Sequence, residues 1–453
     1  MTTLIAEMFQ NKNAIVHEDM KFSLNDTKNK YGTFKDSLKA PIHRWFTYPA
    51  GYSYKLVEEK IKENNLKKGS WIFDPFVGTG TTCLAARHMG MNSIGVEAHP
   101  FVFWIAQTKL CAAYNVRELE NKVVNFITKI NFGLLGDYRG ASITHLPELL
   151  FKCYSQDTLK KLYFLLNLIE QEDLSIEERN FFKVALVGTL RLVSSAGTGW
   201  PYIAPSKYQE KKTEKEAFLT YFKQLQIMLG DVKSVCVDLN AFNAIKTKLI
   251  NDSSMNGCEI PANSMDMLVT SPPYLNNYDY ADRTRLEMYF FGMAKSWGEI
   301  TQKVRNKLMI AATTQVTSSN ERVIKLNEAI SSADSHVYKY LSDSILALND
   351  LKKIKGGKKN YDWMVTGYFN DLFLVLKNVS KFMKKGSRSY WVLGDSAPYG
   401  VYIPTEEIIG KIAVGLGFQR YEVEVIRKRG DKWAKNPQRH DVKLKESILT
   451  IYK

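Results

Sequence analysis

Two short runs of this 453-residue chain hold residue types that could do chemistry together. Ser271-Pro272-Pro273-Tyr274 follows the apolar segment ending in Val269-Thr270, and its consecutive prolines end any regular element there. The Ser271 hydroxyl and the Pro272 carbonyl, stiffened by the proline pair, are two hydrogen-bond acceptors, and Tyr274 adds a flat ring face. That set suits an aromatic amine, whose lone pair is delocalised into its ring, so that a catalyst must accept its hydrogens and favour a pyramidal nitrogen. The tyrosine would then stack an extruded base. On equal residue usage a specified tetrapeptide arises by chance in only ~0.3% of chains this long, so the match carries information. A rigid proline turn packed by a tyrosine would explain the stiffness alone.

The second run is Asp74-Pro75-Phe76-Val77-Gly78-Thr79-Gly80-Thr81-Thr82. It lies where a strand gives way to a helix, so its glycines let the backbone approach a ligand and the helix start offers free N–H groups. The spacing G-x-x-x-x-G-K-[ST] is missing, which excludes a nucleotide-triphosphate loop and leaves a tight βα turn as the bland reading. Glu97-Ala98 closes the next strand, where a carboxylate can accept both hydroxyls of a ribose; alone, Glu97 reads as a solvated strand-end charge.

The elements that must position these runs follow from the pattern. A strand ending at Asp74, a helix to about Met89 and a strand Ser93 to Glu97 alternate as in a parallel α/β sheet. Residues 100 to 235 read as helices, with helical apolar spacing at Leu159 to Ile169 and Phe181 to Val193, and no sheet is needed there. Strands return at Thr247 to Ile250, Met265 to Thr270, Tyr390 to Leu393, Tyr421 to Ile426 and Ser447 to Tyr452. Between about 300 and 360 a polar stretch with Lys352, Lys353, Lys355, Lys358 and Lys359 reads as an insertion or long mobile loop. The formal charge of +15 suits a polyanionic partner. No apolar stretch of spanning length and no signal-like start occurs, so a cytoplasmic, membrane-free protein is expected. Cys83, Cys111, Cys153, Cys236 and Cys258 are scattered and never form C-x-x-C, so neither a disulfide framework nor a metal site is expected.

With both motifs on the page, the sequence resembles the DNA amino-methyltransferases, in which D-P-F-x-G-x-G-T-T binds S-adenosylmethionine and S-P-P-Y forms the catalytic loop. The resemblance implies a Rossmann-like α/β methyltransferase fold: a seven-stranded, doubly wound, mostly parallel sheet with its last strand antiparallel, plus a helical insertion. It implies Ser271, Pro272, Pro273 and Tyr274 as catalytic residues. Trp45, Asp74, Phe76, Gly78, Gly80, Thr81, Thr82, Glu97, Ala98 and Asp252 would bind the cofactor, with His43-Arg44-Trp45 through Tyr54 at its methionine end and Asp252 near its adenine. His43 and Trp45 also suit ordinary packing, and Asp252 suits a turn. The S-P-P-Y form points to N4 of cytosine in double-stranded DNA; N6 of adenine, an RNA base or a protein amide remain as alternatives. No cysteine follows a proline, which argues against the nucleophile of cytosine-C5 methylation. Many N4-cytosine enzymes place S-P-P-Y before the Gly-rich motif; here it comes after.

The expected divisions are an N-terminal arm 1–40, a cofactor-binding part 41–115, a helical insertion 116–240, a catalytic part 241–300, a basic insertion 301–360 that could meet DNA, and a C-terminal part 361–453. A cognate restriction endonuclease is the further partner implied. Arg427 to Lys445, with eight Lys or Arg and Trp433, suits phosphate contact or a solvated loop equally. Tyr278, Asp279, Tyr280, Arg283 and Arg285 could line a base pocket, and Gly197 to Pro205, with Trp200, Pro201 and Tyr202, could form a lid. Asp395 gets no catalytic role.

Overall fold

A computed structural model describes residues 31–48, 51–111, 114–130, 137–197, 203–208, 215–235, 245–354, 359–429 and 442–453. Its frame is a seven-stranded sheet. The strands are β1 (Trp71–Asp74), β2 (Asn92–Val96), β3 (Thr247–Ile250), β4 (Met265–Thr270), β5 (Met383–Gly394), β6 (Arg420–Arg429) and β7 (Leu444–Tyr452). They lie in the order β3-β2-β1-β4-β5-β7-β6. The pairs β2·β3, β1·β2, β1·β4 and β4·β5 are parallel, and β7 runs antiparallel to both β5 and β6. The expected doubly wound sheet with an antiparallel last strand is therefore present, and that strand is inserted between β5 and β6.

Alternation along the strands decides what each face meets. Ile72, Met267, Val269, Tyr390 and Val392 point to one face, where Leu56, Val57 and Ile61 of α1 (Tyr54–Glu63) and Ala85 and Ala86 of α2 (Thr81–His88) cover them. Phe73, Leu268, Trp391 and Leu393 point to the other face, with α3 (Pro100–Lys109) and four further helices, α4 (Val116–Lys129), α5 (Gln156–Gln171), α6 (Ile176–Val193) and α7 (Ala217–Val235), forming a separate helical core. That second sheet face is covered by α8 (Ser335–Ile354), α9 (Tyr361–Phe382) and α10 (Thr405–Gly415). Every buried strand thus loses both faces to water, as a parallel sheet requires.

Three expectations change. Residues 301–354 are not a loop: short helical turns lead into α8, and Met309, Ile310, Val323, Ile330, Val337, Leu341 and Leu348 are buried against α9. The approach is close, since a Cβ on Gly367 of α9 would stand 2.6 Å from Ile310 Cδ1. Lys355 and Lys358 lie outside the described residues, whereas Lys352 reaches Asp362 and Trp363, and Lys353 pairs with Asp350. The end of the arm also packs, because Tyr31, Phe34, Ser37 and Ala40 are buried. The helical region contains a small antiparallel pair, Ala196–Gly197 with Ala204–Tyr208. Trp200, Pro201, Tyr202 and Trp433 are outside the described residues, so the lid and the basic C-terminal stretch 430–441 carry no structural account.

Candidate active site

A cleft of about 870 Å³, counting its open mouth, lies at the carboxyl ends of β1, β2, β3 and β4. That is the size of a site for a small organic ligand. Its walls bring together Phe76, Gly78, Thr81, Glu97, Ala98 and Asp252 from the expected cofactor set with Ser271 and Pro273 from the expected catalytic loop. Residues nearly two hundred positions apart meet because β1 and β4 are neighbours in register, Ile72 with Met267 and Phe73 with Leu268.

The turn after β1 is built for a close backbone approach. Gly78 and Gly80 adopt φ of 54° and 90°, in the left-handed region that strains other residues, and Gly80 starts α2. Gly78 N donates to Glu97 Oε2 at 3.0 Å and His99 N donates to Oε1 at 2.8 Å. Each carboxylate oxygen keeps a further lone pair for a ligand hydroxyl. Burial pushes the Glu97 carboxyl up to about 7, against the pull of the His99 and Gly78 N–H groups. Asp252 ends the loop after β3, its Oδ1 accepting from Ser253 N and Asn256 Nδ2, both at 2.7 Å.

Asp74, Thr82, Gly80 and Trp45 do not line the cleft. Asp74 is a buried hub: Oδ1 accepts from Phe76 N at 2.9 Å and Thr270 Oγ1 at 2.6 Å, and Oδ2 from Tyr52 Oη at 3.2 Å and from Thr82 Oγ1. Burial raises its pKa, opposed first by the Thr270 and Thr82 hydroxyls. Since Thr270 immediately precedes Ser271, this one carboxylate ties the Gly-rich turn to the catalytic loop. Trp45 packs into the helical core, edge-on to Phe181, and donates from Nε1 to Asp231 Oδ2 at 3.0 Å; Arg44 and the Ile42 N–H bond the same carboxylate. The His43–Tyr54 segment does reach the cleft, but through Tyr48, Gly51 and Tyr52, with Phe34 beside them. Sequence reasoning missed these residues, and the run of tyrosines at 48, 52 and 54 was the available signal. It also missed Leu308 and Met309, whose segment read as a loop.

In the loop after β4, Ser271 Oγ is buried without a hydrogen-bond partner. The Tyr274 hydroxyl comes near enough to feel the serine oxygen, but not with the distance and angle of a hydrogen bond. Tyr274 is buried, donates to Glu446 Oε1 at 2.6 Å, and has the Arg429 guanidinium 5.2 Å from its ring centroid. Glu446 also pairs with Arg427, beside Gly32, where any Cβ would collide with the carboxylate. Pro272 is buried and Asn276 takes a left-handed φ of 59°, closing the turn. Of the residues downstream, Tyr280 lines the cleft; Asp279 caps the next helical turn and holds Arg305, Arg283 pairs with Glu287, and Arg285 with Asp282. Asp395 accepts from Lys445 N and Tyr402 Oη and serves as an anchor.

The cleft fits S-adenosylmethionine in chemistry. Glu97 retains acceptor capacity for a ribose, the Gly-rich turn bares its backbone, and Phe34, Tyr48, Tyr52, Phe76 and Tyr280 offer ring faces suited to a sulfonium cation. Comparison with known proteins points the same way. The sequence model of a family described as DNA methylase matches residues 6–108. The chain is 24% identical over 440 residues to the Type II methyltransferase M.BsoBI of Geobacillus stearothermophilus, covering 88% of this chain and 83% of that protein. It is 22% identical over 420 residues to M.AvaI of Nostoc sp., with the same two coverages. To M.MvaI of Kocuria varians it is 20% identical over 440 residues, covering 92% and 89%.

Proposed function

We infer that this chain, which belongs to the DNA amino-methyltransferase family, methylates N4 of cytosine in duplex DNA as the modification partner of a restriction system. The observation that carries the reading is the buried Ser271 Oγ, left without a hydrogen-bond partner in a cleft whose other wall is the Gly-rich turn and Glu97. A buried hydroxyl without a partner is costly unless a ligand completes it.

S-adenosylmethionine supplies, when bound, an electrophilic methyl group on a sulfonium centre. The protein does the rest. Glu97 and the turn 78–81 fix the nucleoside half, and the aromatic wall excludes water. Ser271 Oγ and the Pro272 carbonyl accept the two amine hydrogens, which draws the nitrogen lone pair out of the ring and aims it. Tyr274, pinned by Glu446, holds the loop's shape and offers a ring face to the flipped base. No covalent bond between enzyme and base is needed. The net positive charge of +15 favours the approach of a polyanion.

Incubating the protein with methyl-labelled S-adenosylmethionine and unmodified duplex DNA, then identifying the labelled nucleoside by mass spectrometry, tests this reading. N4-methylcytosine is expected. N6-methyladenine would keep the acceptor geometry and overturn the base, and label in RNA but not in DNA would overturn the substrate.

A further inference from the structure

Lys109 closes α3 and is buried to 1% exposure, yet no carboxylate among the described residues pairs with it. Its Nζ has two neutral acceptors at long range, the His43 carbonyl at 3.3 Å and Thr79 Oγ1 at 3.4 Å. An ammonium taken out of water without a counter-charge is strongly unfavourable, and such groups are normally paired. Burial alone pushes this amine down to about 7, so nothing in the described fold relieves it.

The position suggests what would. Thr79 belongs to the Gly-rich turn and lines the cleft. His43 begins the segment whose Tyr48 and Tyr52 form the cleft's aromatic wall. The amine therefore stands behind the cleft surface at the junction of its two cofactor-facing segments. At the same junction α2 starts at Thr81, and its free N–H groups add positive potential. A buried, uncompensated cation and a helix start thus face the same small volume.

We propose that Lys109 is the cationic backing of an anion subsite at Thr79, which takes the carboxylate of the amino-acid tail of S-adenosylmethionine. The proposal rests on the function inferred above and specifies how one end of the cofactor is held. An amine that served only to bridge His43 to the turn would support every ligand of the cleft equally; an anion subsite supports only ligands that carry the carboxylate.

Titration calorimetry with two ligands separates these. S-adenosylhomocysteine carries the carboxylate; 5′-methylthioadenosine keeps the nucleoside and the sulfur but lacks it. Lys109→Met, which keeps the length and burial of the stem, is expected to bind S-adenosylhomocysteine about ten-fold more weakly and 5′-methylthioadenosine within about two-fold of wild type. Retained 5′-methylthioadenosine binding also shows that the variant is folded. A second measurement alters the ligand instead: the carboxamide of S-adenosylhomocysteine should lose about ten-fold on the wild-type protein and nothing further on Lys109→Met. Equal losses for both ligands in the variant, or no loss for S-adenosylhomocysteine, would overturn the subsite alone. A wild-type protein that binds neither ligand would overturn the S-adenosylmethionine reading, and the subsite with it.

Discussion

The two walls of the cleft are held in opposite ways. On the β1 side Asp74 accepts from Phe76 N, Tyr52, Thr82 and Thr270, and both Glu97 oxygens are held by backbone N–H groups. On the β4 side the loop is rigid in backbone, through its prolines and the Tyr274–Glu446 bond, but Ser271 Oγ is left without a partner. Satisfied polar groups make a wall that pre-forms the shape of a ligand, whereas an unsatisfied one marks where a ligand's own hydrogens are awaited. The difference separates stability from chemistry along one cleft, and substitutions can test that separation.

The largest effect belongs to the unsatisfied side. Ser271→Ala should lower turnover by about 10²–10³-fold, the usual cost of one oriented group that acts mainly in the transition state. Because the hydroxyl bonds nothing in the free protein, the same change should leave cofactor affinity intact and raise stability by up to about 1 kcal/mol. Turnover from rapid quench and Tm from calorimetry should move in opposite directions; a falling Tm would show that the serine is structural.

Asp74→Asn should behave in the reverse manner. An amide nitrogen would face hydroxyl and N–H donors, and we expect a loss of about 2–4 kcal/mol in denaturant unfolding. Cofactor affinity and turnover should both drop, since the hub joins both walls. An effect on cofactor affinity without lost stability would mean that Asp74 touches the ligand directly.

This contrast also explains what could be read from the chain beforehand. β3 and β4 were legible to the residue at Thr247–Ile250 and Met265–Thr270, because buried parallel strands are apolar runs bounded by turn signals. The Gly-rich turn and the proline loop were legible because each carries its chemistry locally. Roles set by distant partners were not. Trp45 and its partner Asp231 are 186 residues apart, and the Asp74 hub draws on Tyr52 and Thr270, so both aspartate-centred clusters were invisible as such. In 301–354 the polar majority hid the helical recurrence of Val337, Tyr340, Leu341, Ser344 and Leu348, which is what packs α8 onto α9. Lys109 gave no signal at all, because a lysine closing a helix ordinarily reads as a solvated charge at the negative end of the dipole.

A smaller effect sharpens the cofactor side. With its carboxyl raised to about 7, Glu97 holds its proton over a range where an exposed glutamate has lost it. The folded apo-protein therefore binds more protons than the unfolded chain there, and this residue's contribution to stability falls as pH rises from the ordinary glutamate range to about 7. Ribose hydroxyls donate best to the ionised form, so 5′-methylthioadenosine, which lacks a titrating tail, should bind more tightly as pH rises through that value, by roughly ten-fold overall. Glu97→Gln should bind weakly and without that pH dependence. A wild-type affinity that is flat across the range would remove Glu97 from the ribose.

The smallest effect concerns the face of Tyr274. Arg429, held by its bond to the Asp395 carbonyl at 3.0 Å, already lies over the ring that a flipped base would use. A guanidinium over an aromatic face is worth about 0.5–2 kcal/mol, so a base stacking on that same side has to displace it. Arg429→Ala should then favour the extruded base by a few-fold, about 2–5, read from the fluorescence of 2-aminopurine at the target position of a bound duplex. If fluorescence stays at the wild-type level while turnover is unchanged, the base uses the opposite face of Tyr274, and Arg429 serves with Glu446 to brace the loop from behind.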